Sequence, residues 1–140
     1  MQNRILLAGI GLLAALAAAQ APEKFKARLY PVPLDASLRA EITGKGSVAA
    51  MLEGHKLSIT GSFEGLRTPA TIAQIHQSPV TGVRGPAVLD LTVAKATGGN
   101  IMGSLDLTDA QVEMLRKGRL YIQIHSEKAP DGNLWGWLLR

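Results

Sequence analysis

The sequence predicts an all-β sandwich or barrel interrupted by one short helix. Short apolar runs alternate with Gly, Pro and Asp at close spacing, as they do in sandwiches and barrels and not in parallel α/β folds. Several runs keep a period of two, the mark of a strand with one face buried. A single segment, 108-TDAQVEMLRKG-118, carries helix start and stop signals instead.

The first element is not part of that fold. Arg4 precedes an uninterrupted Leu/Ala/Gly-rich run from Ile5 to Ala19. The run falls short of the roughly 18 apolar residues of a spanning helix, and Ala17-Ala18-Ala19 supplies the small residues of a cleavage site. Cleavage is expected after Ala19, because a cut after Ala21 would leave Pro22 beside the broken bond. The expectation is a signal peptide over 1–19 and one domain over 20–140, secreted or periplasmic, with no transmembrane segment once the signal is removed. An uncleaved membrane anchor is the alternative.

Strands are expected at Phe25–Tyr30, Leu38–Thr43, Ser47–Leu52, Lys56–Phe63, Thr71–His76, Ala87–Val93, Asn100–Asp106, Leu120–His125 and Leu134–Leu139. In 56-KLSITGSF-63, Leu57, Ile59 and Phe63 share one face and Lys56, Ser58, Thr60 and Ser62 the other. Glu53-Gly54-His55 reads as a hairpin turn, with Gly54 free to take positive φ. In the helix, Thr108 and Gln111 make a capping-box pattern and Gly118 ends the segment. Val112 and Leu115 can face the sheet, which makes the helix, near residues 108–117, a lid on one end. Pro130-Asp131-Gly132 reads as the turn between the last two strands.

The composition excludes several functions. There is no cysteine, so packing alone must hold an exported fold, and thiolate chemistry is absent. Net charge is +4; Arg4 is the one charged residue before Gln20, so the mature chain carries +3. The basic residues are scattered, and the balance suits solubility or an anionic surface such as phospholipid or acidic polysaccharide. Nucleic acid is not expected, because there is no aromatic-basic interleaving. No nucleophile elbow, phosphate loop or H-E-x-x-H motif is present, and more weight falls on a non-enzymatic role.

Histidines carry the remaining chemistry. His76 and His125 each close an apolar run and precede a proline-containing loop. Two readings stay open. The pair could bind copper or zinc, with His55 as a weaker third ligand or Met51, Met102 or Met114 as a soft one. Alternatively each imidazole braces a carbonyl of its own loop. Gln74 shares a face with His76, and Tyr121, Gln123 and His125 share one. Trp135 and Trp137, two apart, either form an exposed aromatic platform or pack across the open end of the fold.

Two stretches, 71-TIAQIHQSPVTGVRGPAVLDL-91 and 103-GSLDLTDAQVEMLRKGRLYIQIHSEKAPDGNLWGWL-138, give the chain a family likeness. It resembles the CHRD domain, named for chordin and widespread in exported bacterial proteins, over roughly Phe25–Leu139. The resemblance implies a Greek-key β-sandwich, similar in outline to copper-zinc superoxide dismutases. By position, His76 matches the second histidine of the family's His-x-His, His125 its strand-end histidine, and Gly132 and Gly136 the glycines of its closing motif. Gln74 replaces the first histidine, and Trp135 and Trp137 stand where arginine and glutamine are usual. With three histidines in all, the chain lacks the ligands of a copper-zinc dismutase centre. The expected role is therefore a binding module for a protein, glycan or envelope component, through a surface that includes Gln74, Arg84, Tyr121, Trp135 and Trp137. A periplasmic copper- or zinc-binding protein is the alternative.

Overall fold

A computed structural model describes residues 21–33 and 38–140. The expected signal segment and its cleavage point lie outside the described residues. The described elements are β1 (Glu23–Pro31), β2 (Lys45–Glu53), β3 (Lys56–Glu64), β4 (Ala70–Gln77), β5 (Ala87–Val93), β6 (Gly99–Asp106), α1 (Asp109–Arg116), β7 (Leu120–Ser126) and β8 (Ala129–Trp137). Among the described residues, no helix is long and apolar enough to cross a membrane.

The strands close into a ring in the order β1-β2-β3-β6-β5-β4-β7-β8, with antiparallel neighbours throughout. The sandwich implied by the resemblance is thus corrected to a closed barrel. Two connections, β3 to β4 and β6 to β7, each pass over two strands of the ring. The barrel is closed through two short seams. β5 meets β6 at Thr92–Met102 and Val93–Ile101, and β1 meets β8 at Tyr30–Trp135 and Pro31–Leu134, with an added bridge from Lys26 to Leu139.

Alternation decides what fills the barrel. Phe25, Ala27 and Leu29 from β1, Val48, Ala50 and Leu52 from β2, and Leu57, Ile59 and Phe63 from β3 point inward. They meet Ala73 and Ile75 of β4, Ile101 of β6 and Leu120, Ile122 and Ile124 of β7 in one core. α1 closes one end as expected: Thr108 and Gln111 form the capping box, and Val112 and Leu115 are buried. Arg116 and Arg140 both hold Glu23 at 2.6 Å, which ties the helix and the segment after β8 to the start of β1. The Arg116 hydrogen bond, more than any other contact, holds the Glu23 carboxyl below its usual range.

Two sequence expectations are corrected. Leu38–Thr43 is not a strand: the chain turns there, with Glu41 N–H donating to the Leu38 carbonyl at 2.9 Å while Ile42 is buried. Pro130-Asp131-Gly132 is not the last turn either. Glu127 and Lys128 make that turn, and β8 already starts at Ala129. Ser126 pairs with Ala129 and Ile124 with Leu134, so Pro130–Asn133 bulges out opposite His125 alone. No non-glycine residue takes positive φ among the described residues, so the turn is not one of the primed types that match strand twist. The two strands part directly after it.

Gly136 explains the closing glycine. A Cβ there would sit 2.2 Å from the Arg28 carbonyl oxygen, where β1 crosses β8. Gly136→Ala is expected to cost roughly 2–3 kcal/mol, the upper part of the range for single substitutions, measured by urea unfolding; an unchanged midpoint would deny that the seam needs this close approach.

Candidate functional site

Tyr121, Gln123 and His125 lie on the outward face of β7 but are 1%, 2% and 9% exposed. Two irregular segments cover them. One is the β4–β5 loop, Ser78–Pro86, which folds back over β4 and β7. The other is the Pro130–Asn133 bulge of β8. β7 is therefore buried on both faces.

Buried polar groups fasten both segments. His76 Nδ1 donates to the Gly85 carbonyl at 2.9 Å, and Tyr121 Oη accepts from Gly85 N–H at 3.0 Å while lying 3.1 Å from its carbonyl. Gly85 is needed for this, since a Cβ there would lie 1.7 Å from the Gln77 carbonyl oxygen. Trp137 Nε1 donates to Ser78 Oγ at 3.0 Å, which donates to the Val83 carbonyl at 2.6 Å. On the other side, His125 Nδ1 donates to the Pro130 carbonyl at 2.6 Å. Arg84 donates to the Asp131 carbonyl at 3.0 Å and lies 5.5 Å over the Trp135 ring, so it links loop to bulge.

The structure brings His76 and His125 together. β4 and β7 are antiparallel neighbours, with His76 opposite Tyr121 and His125 opposite Ile72, so the two histidines stand toward opposite strand ends. Their rings nevertheless meet diagonally across the outer face, with centroids 6.2 Å apart. Since each Nδ1 faces a carbonyl, the neutral rings carry their lone pairs on Nε2. His125 Nε2 accepts from Gln123 Nε2 at 3.1 Å. His76 Nε2, Gln123 Oε1 and Trp135 Nε1 are buried without a hydrogen-bond partner. Burial pushes the His76 pKa below the ordinary imidazole value; the Gly85 carbonyl opposes this, and the charges of His125 and Arg84 add to the lowering.

Other sequence candidates separate from this pair. His55 sits exposed at the β2–β3 turn, where Nε2 meets Asp109 of α1. Met51 and Met102 are exposed on β2 and β6, and Met114 packs on the main core. Gln74 donates to Asp90 Oδ1 at 3.0 Å and is half-buried. Tyr121, Trp135 and Trp137 form no exposed platform: the tryptophans are each 6% exposed and pack with Tyr121 and Val32 into a second, smaller core. Covering segments on β7 and β8 impose that burial. Among the described residues, no three His, Asp or Glu side chains gather into a metal-holding group. Gln123 was not among the expected site residues, although alternation already put it between Tyr121 and His125.

A family model for the CHRD domain matches residues 30–138. The chain belongs to the CHRD domain family. No curated protein and no solved structure matches it. In this CHRD domain the two histidines picked out by the family pattern hold loop carbonyls, and Gly136 lets the barrel close.

Protonation of His76 must oppose folding. The unfolded chain takes up its proton near pH 6.5, the folded chain only at lower pH. Stability from this residue is therefore complete above about 6.5 and falls as pH drops from there toward the lowered folded value. Urea midpoints taken between pH 7.5 and pH 5.5 should decline in the wild type and decline less in His76→Asn; parallel declines would reject this account.

Proposed function

We propose that this CHRD domain is an exported, non-enzymatic binding module of the periplasm or cell surface, and that the Ser78–Pro86 loop presents its contact surface to a protein of the envelope. One observation carries the reading. The loop is fastened to buried Tyr121, Trp137 and His76, yet Val80 and Val83 on it remain 60% and 48% exposed. A loop already held in shape loses little conformational entropy on binding, and paired apolar side chains on a fixed tip suit a protein partner. The tryptophans then act from beneath the surface, as anchors. The apolar run Ile5–Ala19 supports export.

A photoreactive residue at position 80 or 83 should crosslink one reproducible envelope protein in the cells that make this chain, and a probe at Lys128 should not. Val80→Asp should weaken capture of that protein. Identical patterns from all three positions would remove the loop from the proposal.

A metal reading rests on a different observation. Both Nδ1 atoms are fixed by carbonyls, as the nitrogen turned away from the metal usually is in a ligating histidine, and the His76 Nε2 lone pair is unused. Two imidazole nitrogens suit Cu(I) better than zinc, which asks for four ligands. Titration calorimetry of the mature protein with Cu(I) under reducing conditions, and with Cu(II) and Zn(II), should then show Cu(I) affinity that His76→Ala and His125→Ala each abolish. Binding no tighter than that of a lone surface imidazole would end this reading.

A further inference from the structure

β1, β2, β3 and β6 form a continuous face that no loop covers. Three cross-strand rows run across it, beginning in β1 at Lys24, Lys26 and Arg28. All twelve outward residues of these rows are exposed. The nine beyond the three cations comprise five hydroxyl residues, one asparagine, two methionines and one alanine, with no carboxylate among them. Lys24, Lys26 and Arg28 form no ion pair among the described residues. The β1 row continues to Tyr30, 44% exposed.

The Arg28 row is also a groove. Arg28, Ser47, Ser62 and Asn100 stand side by side on four strands, and a groove of ≈ 540 Å³ follows them, bordered by Lys45 and Glu64. Those two pair with each other at 3.6 Å, which leaves Arg28 as the groove's free charge.

Charge and chemistry choose the occupant. Alternate residues of a strand stand roughly 6.6–6.8 Å apart, so the three cations make an evenly spaced line. A polymer bearing anionic groups at intervals can meet all three, whereas a small anion meets one. Hydroxyl and amide groups beside that line hydrogen-bond sugar hydroxyls, and the Tyr30 ring offers an amphipathic face. A bilayer would call for large apolar side chains to insert, and this face offers two methionines. We propose that the β1-β2-β3-β6 face binds an acidic polysaccharide: Lys24, Lys26 and Arg28 meet its carboxylate or sulfate groups, and Ser47, Ser62 and Asn100 its hydroxyls. The site is independent of the Ser78–Pro86 loop.

Retention of the mature protein on immobilised polygalacturonate, with neutral dextran as control, tests this. The triple variant Lys24→Gln, Lys26→Gln, Arg28→Gln should lose about tenfold or more in affinity, as expected for removing three clustered charges. An equal charge change at exposed Arg67, Lys95 and Lys128 should cost less than about twofold, because those residues sit in connections between strands, outside the proposed rows. Ser62→Tyr, which fills the groove and leaves the charge unchanged, should also weaken retention, while Val80→Asp should not. Circular dichroism establishes that each variant is folded. Equal losses from the two triple variants would reduce the effect to net charge and overturn the proposal. So would retention on phosphatidylglycerol vesicles without retention on polygalacturonate, and so would failure to bind polygalacturonate at all.

Discussion

Covering the outward side of β7 imposes more on this molecule than any other packing requirement. An outward strand face normally satisfies its polar atoms with water. Here Tyr121, Gln123 and His125 are shut off from it, and a buried polar group without a partner costs about 1–3 kcal/mol. The sequence answers with backbone: carbonyls of Gly85 and Pro130 come down onto His76 and His125, and Tyr121 takes the Gly85 amide. Loop path, bulge position and tryptophan burial follow from that need. The histidines are in this sense structural donors to the segments that cover them.

The barrel consequently has two unlike sides. Around β4, β7 and β8 there are two layers of core, one inside the ring and one outside it. Around β1, β2, β3 and β6 the strands alternate cleanly between core and water. A clean alternation asks nothing further of the outward residues, so their identities are free to serve something other than folding. That freedom gives the basic and hydroxyl-rich composition of the bare side its interest.

Much of the fold was legible in period-two alternation and capping signals, because those patterns report a one-sided environment. β5 was placed to the residue, and α1 was given by Thr108, Gln111 and Gly118. Reading failed where more than one environment produces the same pattern. Leu38 and Ile42 alternate with polar neighbours like strand residues, yet a local hydrogen bond from Glu41 to Leu38 turns the chain. Pro130-Asp131-Gly132 has the composition of a turn, but the tighter pairing of Ser126 with Ala129 makes the turn first and leaves those residues to bulge. The tryptophans were ambiguous for a similar reason: alternation says that Trp135 and Trp137 share a face, and cannot say that a loop from β4 will cover it. His76 and His125 were identified as a pair, but their diagonal meeting depends on strand neighbours that no local pattern specifies.

The two short seams give the ring a mechanical grain. Most neighbouring strands share ladders of many rungs, as β2 and β3 do from Lys45–Glu64 to Glu53–Lys56, while β5–β6 and β1–β8 share very few. The barrel therefore behaves as two curved half-shells joined along two stitched lines. Any force that pulls the halves apart meets only a few hydrogen bonds before the stitches fail, although each half-shell keeps its own ladders. A partner gripping both the covered half and the bare half would load those lines directly, and separation of intact shells would precede the loss of any full ladder.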